Sequence, residues 1–262
     1  FSPSEVMGLT LAANLISLGL GIIILRRSLP QAVLSAHPTY TPRLWTAVGL
    51  AMLAVNGQFL VLSRIDILML KFFVTDSEVG IYSIASRLAL AVPFGLDVVS
   101  MIAAPLVSQL YTEKRFNELH RVVHLAVSWS AMISFAIFIV LSAGGNLWLG
   151  LFGPSFPAGR LPLVILCAGQ LFNALTGPCG LLLTMTGRER QLAILVSLAL
   201  LANAALNWLL IPKMGSNGAA LATCAVTVVW NVAAVILIRR SLGLWCVWGL
   251  SGRPIISKES QG

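Results

Sequence analysis

The chain has 262 residues, is 58% hydrophobic and only 10% charged, and carries a formal net charge of +8. A soluble domain is about 45–50% apolar and about 25% charged, so a mean hydropathy of +0.91 excludes an ordinary soluble fold. The charges come in ones and twos rather than in runs, which argues against a nucleic-acid face and points to loops flanking a membrane.

Taking about 20 residues as the length that spans a bilayer, seven apolar runs qualify. The opening Phe1-Ser2-Pro3-Ser4-Glu5 has neither an initiator Met nor a basic n-region, and reads as a chain whose N-terminal part is missing. The first run, 6–25, ends at Arg26 and Arg27. The second, 44–74, and the third, 81–111, are over-long, about 45 Å each as straight helices, and must tilt, kink or protrude. A short acidic turn at 75–80 joins them. The third carries a kink site at Pro93-Phe94-Gly95 and a further proline at Pro105. Residues 112–124 read as a short surface helix on which His120 and His124 share a face, with no third metal ligand nearby. The fourth run is 122–142. The segment 144–160, with Trp148, Phe152 and Phe156, reads as a compact loop at headgroup level. The fifth run is 161–186, the sixth 191–211, and the seventh 218–238, closed by Arg239 and Arg240. The tail, 251–262, is polar and reads as disordered.

Basic loop residues fix an orientation. Arg26, Arg27, Arg43, Lys114, Arg115, Arg121, Arg188, Arg190, Arg239, Arg240, Arg253 and Lys258 fall on one side, against Lys71, Arg160 and Lys213 on the other. The positive-inside rule makes the first side cytoplasmic, so the chain begins outside and ends inside.

Soluble catalytic signatures are missing. There is no Gly-x-x-x-x-Gly-Lys-Ser/Thr phosphate cradle, no His-Glu-x-x-His and no Gly-x-Ser-x-Gly elbow, so the reading is of no enzyme, no catalytic residue, no metal and no cofactor. Of the cysteines Cys167, Cys179, Cys224 and Cys246 the first three lie within apolar runs and no Cys-x-x-Cys spacing occurs, so they read as small buried hydrophobes with neither a disulfide framework nor a metal site.

Four ionisable residues interrupt the second and third runs: Arg64, Asp66, Arg87 and Asp97. Each costs roughly 2.5–3.5 kcal/mol at mid-membrane when unpaired, so they must pair or face a wet cavity. Arg64 and Asp66 are about 200° apart on a helix. Counted from the turn at 75–80, Asp66 and Arg87 lie at similar depth, which suggests an Asp66–Arg87 pair with Arg64 turned to the lumen or snorkelling. Asp97, after the proline kink, reads as a buried carboxylate suited to proton or cation coupling, or bonded to an Asn or Ser of a neighbour. Uncharged polar residues recur at helical spacing: Asn14, Ser17 and Gly21; Asn56 and Gln58; Gln170, Asn173 and Gly177; Asn203 and Asn207; Asn231. They serve as interhelical glue or, together, line a cavity for a sugar headgroup.

The run Ser63-Arg64-Ile65-Asp66-Ile67-Leu68, then Glu78-Val79-Gly80-Ile81-Tyr82-Ser83 through Arg87, resembles the Wzx-type polysaccharide-biosynthesis flippases of the multidrug/oligosaccharidyl-lipid/polysaccharide exporter superfamily, which includes the MATE-like proteins. Leu151-Phe152-Gly153-Pro154, Gly169-Gln170-Leu171, Gly177-Pro178, Met185-Thr186-Gly187, Leu206-Asn207, Ile211-Pro212 and Gly218-Ala219-Ala220 add to the resemblance, which runs over about 44–240. The resemblance implies an all-α polytopic bundle. Residues 1–43 would hold the last helix of another lobe and a cytoplasmic linker, 44–240 a six-helix C-terminal lobe, and 241–262 a cytoplasmic tail. It implies alternating-access transport of polyprenyl-pyrophosphate-linked oligosaccharide, an O-antigen or lipopolysaccharide precursor, across the bacterial cytoplasmic (inner) membrane. Phospholipid, the lipid-linked oligosaccharide and polysaccharide-assembly proteins are the implied partners, and nucleic acid is not one. Arg64, Arg87, Gln58, Gln170, Asn173 and Asn207 would meet the headgroup, and Asp97 or Asp66 would couple an ion. A lipid II flippase or a multidrug/cation antiporter of the same superfamily is the alternative reading. From other classes stand a membrane glycan polymerase or ligase and a seven-span receptor or retinal protein; the seventh run has no Lys for a Schiff base.

Overall fold

The computed structural model describes residues 3–28, 40–42, 45–46, 53, 57–243 and 246–248. Among the described residues the fold is all-helical, and the chain divides into two compact units, Phe1–Gly49 and Leu50–Gly262. In the first unit α1 (Pro3–Ser28) carries Arg26 and Arg27 in its last turn, where cations suit the carbonyl end of the helix. Its large apolar side chains are exposed on every face, the pattern of a helix built for an apolar surround.

The second unit is a set of antiparallel crossings, several of them interrupted. Residues 57–62 are helical, break at Ser63 and Arg64, and resume as α2 (Ile65–Leu70). The helix α3 (Asp76–Ala89) starts from Thr75, whose hydroxyl accepts the Glu78 N–H. After an interruption at 90–93 comes α4 (Phe94–Thr112), then a turn with Lys114 at φ 58° and α5 (Phe116–Ala143). The short α6 (Gly145–Gly150) and a 3-10 turn (Phe156–Gly159) lead into α7 (Arg160–Leu175). Residues 176–178 interrupt that crossing, which α8 (Cys179–Met185) completes.

Last comes α9 (Glu189–Leu242), bent back at Gly215, whose φ of 55° and ψ of −134° suit only glycine. Its arms, 189–214 and 216–242, run antiparallel and close, so that a Cβ on Gly218 would fall 2.4 Å from the Leu210 carbonyl oxygen. Arg188 ties one end of the unit together, donating to the Tyr111 hydroxyl at 3.5 Å and to the Ser241 carbonyl at 3.0 Å. At the opposite end Glu78 accepts the Ser216 N–H at 2.9 Å, just past the bend.

Five helical spans among the described residues are long and apolar enough to cross a membrane: Met7–Ser28, Phe94–Thr112, Phe116–Ala143, Phe156–Leu175 and Glu189–Leu242. The expected sixth and seventh runs are the two arms of α9. The expected second run is not one helix: it breaks at Ser63–Arg64, where the Arg64 N–H reaches back only three residues to Val61, and of its first part 44, 47–52 and 54–56, with Asn56, lie outside the described residues. The expected third run is α3 and α4 hinged at 90–93, because Pro93 has no N–H to give and restrains the residue before it. The turn expected at 75–80 lies at 71–75, since Asp76 and Glu78 sit at the amide end of α3, where acidic residues are favoured. The surface helix expected at 112–124 is instead the first turns of α5. The loop expected at 144–160 is largely helical, and the tail 251–262 lies outside the described residues.

Two apolar cores hold the unit. One gathers Val107, Leu119, Val123, Leu182, Leu183, Val196 and Ile238, and the other Leu70, Tyr82, Val92, Leu163, Cys167, Ile211 and Ala219. Small residues let the crossings approach: Gly169 lies against the Cys224 backbone, where a Cβ would meet its Cα at 3.1 Å.

Candidate functional site

The break at Ser63–Arg64 restarts the helix so that Asp66 faces inward and Arg64 outward. Asp66 is 4% exposed and is the one buried acid or base of the Asp/Glu/Lys/Arg/His kind among the described residues. Its Oδ2 accepts from the Tyr82 hydroxyl at 2.5 Å and from the Thr223 hydroxyl at 3.5 Å; its Oδ1 accepts the Ile67 N–H at 2.8 Å. Ile67 lies in the first turn of α2, where amides have no helical acceptor. All these donors are neutral.

The chain of bonds continues into both arms of α9. Asn203 Nδ2 donates to the Thr223 hydroxyl at 3.4 Å, and Asn207 Nδ2 donates to Asn203 Oδ1 at 2.7 Å. Asn207 Oδ1 is buried and has no hydrogen-bond partner. Five side chains from α2, α3 and α9 thus connect a carboxyl to an open amide acceptor. A carboxylate out of water with only neutral donors is held more cheaply once it takes up a proton or a cation. The arrangement thus sets one buried carboxyl, held by neutral donors alone, where α2, α3 and α9 meet.

A second polar set closes the interruption at 176–178. The Thr176 hydroxyl lies 3.0 Å from Asn231 Oδ1 and 2.9 Å from the Asn173 carbonyl, while Asn231 Nδ2 donates to the Thr227 carbonyl. Ser130 reaches the Ala174 carbonyl at 3.4 Å, and the Trp248 N–H donates to the Leu175 carbonyl at 3.0 Å. No ionisable side chain takes part in these bonds.

The residues singled out from sequence separate accordingly. Asp66 and Asn207 join one network. Gln58 donates to the Ser197 hydroxyl at 2.9 Å and leaves its own Oε1 buried without a partner. Gln170 and Asn173 are half-buried on α7, while Arg64, Arg87 and Asp97 are exposed.

Two expectations are corrected. Asp66 does not pair with Arg87: the turn lies at 71–75 rather than 75–80, so the residue of α3 at equal depth is Tyr82. Arg87, five residues on, is about 140° further round the helix. Asp97 is not a buried carboxylate: Gly95 and Leu96 take the inward positions, with Gly95 against Ile133, and Asp97 emerges in the first turn of α4. His120 and His124 have ring centres 6.5 Å apart, and no group of three metal-ligating side chains occurs among the described residues.

Sequence reasoning missed Tyr82 and Thr223 as the partners of Asp66. The available signal was a hydroxyl in each apolar run at the depth of the carboxylate, hidden by the misplaced turn.

A family model described as MatE matches residues 51–209. The chain is also similar to the "Probable flippase AglR" of Haloferax volcanii, with 25% identity over 180 residues, covering 66% of this chain and 37% of that protein. The chain therefore spans little more than a third of that relative's length. No solved structure matches it.

Proposed function

Since the chain belongs to the MatE family and is part of a multi-pass membrane transporter, we propose that it serves to translocate a polyprenyl-pyrophosphate-linked oligosaccharide by alternating access, with Asp66 as the ion-coupling residue. The similarity to a probable flippase supports the cargo class. The buried Asp66 network supports the coupling role, and it is the observation that carries the reading.

The physical logic is a two-state switch. An ionised Asp66 accepts from Tyr82, Thr223 and the Ile67 amide, holding α2, α3 and the arms of α9 together. A protonated Asp66 has one oxygen turned donor and must give up part of that set. Uptake of a proton thus biases the packing of three helices, which is the differential binding that a coupled cycle needs.

In this reading residues 44–240 form one lobe, 1–43 carry the last helix of another, and 241–262 are a tail. The exposed Arg64 and Arg87, with half-buried Gln170 and Asn173, would meet the anionic headgroup where the lobe faces the rest of the transporter. Lys114, Arg115, Arg188, Arg190, Arg239 and Arg240 gather at the Arg188 end, against Lys71, Arg160 and Lys213 at the Gly215 end, which supports an Arg188 end in the cytoplasm.

The test is translocation of lipid-linked oligosaccharide by the full-length protein in proteoliposomes, with and without an imposed proton gradient. Wild type should respond to the gradient and Asp66→Asn should lose at least about tenfold of that response, equivalent to about 1.4 kcal/mol. A full response in Asp66→Asn removes Asp66 from the cycle. Gradient-driven cation exchange without movement of lipid would replace the flippase by an antiporter.

A further inference from the structure

Cys179 and Cys246 are both buried, and their sulfurs lie 3.6 Å apart although 67 residues separate them in sequence. Two anchors hold them there. The interruption at 176–178 leaves the Leu175 carbonyl without its helical partner, and the Trp248 N–H takes it at 3.0 Å. The Cys246 carbonyl lies over Gly177, so close that a Cβ there would come within 3.3 Å of it. Residues 246–248 are thus seated on the interruption by backbone contacts, with the second sulfur brought against the first turn of α8. The other two cysteines lie elsewhere, Cys224 against Gly169 and Cys167 in the opposite core.

We propose that Cys179 and Cys246 are a redox-closable pair, oxidised by a hydroperoxide to a disulfide that fastens residues 246–248 to the interrupted helix. A disulfide needs the sulfurs about 2.05 Å apart, so closure requires about 1.5 Å of approach, within reach of side-chain rotation. A groove of about 330 Å³ is lined in part by Leu175, Thr176, Val247 and Trp248, chain neighbours of the pair, while both sulfurs lie buried behind its wall. One thiol attacks the O–O bond and its proton passes to the departing oxygen, giving a sulfenic acid and releasing an alcohol, or water from hydrogen peroxide. The second sulfur then attacks the sulfenic sulfur, forming S–S and expelling water. Two thiols and one hydroperoxide become one disulfide, one water and one alcohol; the sulfurs lose the two electrons that the O–O bond gains. The inference does not depend on the cargo.

The test treats the full-length protein in membrane vesicles with hydrogen peroxide, blocks remaining thiols with an alkylating agent, and digests it for mass spectrometry. The expected product is a linked peptide pair holding residues 179 and 246, cleaved by dithiothreitol and absent from Cys179→Ser and Cys246→Ser. Peroxide should also raise the thermal unfolding midpoint of wild type and leave both variants unmoved. Separately alkylated or over-oxidised Cys179 and Cys246 in wild type, or either one joined to a different cysteine, overturns the proposal without reference to the variants.

Discussion

Two interrupted crossings of the same unit solve the same problem with different chemistry. At residues 176–178 the Leu175 carbonyl freed by the break is taken up by the Trp248 amide, the Ala174 carbonyl accepts the Gly177 N–H with the Ser130 hydroxyl at 3.4 Å, and Thr176 bonds Asn231. At Ser63–Arg64 the restarted helix α2 carries a buried carboxylate held by a phenol, a threonine and one amide. Inside a bilayer every freed backbone group must find a partner, and the first interruption does so with neutral groups throughout. The comparison teaches that an interruption in this unit needs no ionisable residue to seal it. Asp66 is therefore not explained by the break beside it, and the proposed coupling role is the account that the comparison leaves to be tested.

The largest effect belongs to the neutral closure. Gly177 has φ +72°, and a Cβ there would fall 2.4 Å from Val127 Cγ2. Left-handed backbone strain of about 1–2 kcal/mol and overpacking of about 1–3 kcal/mol both oppose Gly177→Ala. Its unfolding midpoint in lipid or detergent should drop sharply, while Gly180→Ala, with nothing within 4 Å of a Cβ, should leave it unchanged or slightly raised. Equal midpoints for the two variants would mean that the seal at 176–178 is not tight.

Next comes the charged side of the comparison. Tyr82→Phe removes the shortest donor to Asp66, a hydrogen bond to a charged group worth about 1.5–3 kcal/mol. Thr176→Val removes a neutral bond to Asn231, worth about 0.6–1.7 kcal/mol in a membrane. Thermal unfolding of both variants ranks the two networks. Tyr82→Phe should also alter the gradient response of translocation, and Thr176→Val should not. A reversed ranking would break the contrast between a functional and a structural polar set.

Much of this was legible in the chain itself. Apolar runs gave the crossings from Val122 onward, and Pro93 marked the hinge before α4. Asn203 and Asn207, four apart, announced a polar stripe that the structure uses. The failures have a common cause in turn geometry. Placing the turn at 75–80 instead of 71–75 moved the expected partner of Asp66 from Tyr82 to Arg87, a slip of five residues that changes a phenol for a cation. The Cys179–Cys246 approach had no local signal, because it depends on which orphan carbonyl a distant amide fills.

The smallest effect lies outside the crossings, where water screens charge. In the turn between α4 and α5, Glu113 accepts from Gln109 Nε2 at 2.8 Å and from Arg115 at 2.9 Å, and Arg115 also pairs with Glu118. The Gln109 bond first, and Arg115 second, hold the Glu113 carboxyl below its ordinary value of 4.5. A carboxyl with a lowered folded value contributes stability that is complete above the ordinary value and fades as pH falls through the lowered one. Glu113→Gln should therefore lower the unfolding midpoint slightly at neutral pH, and the gap should close on acidification and in high salt. A gap that widens in acid would mean that this turn, like α2, carries a carboxyl held by something other than exposed partners.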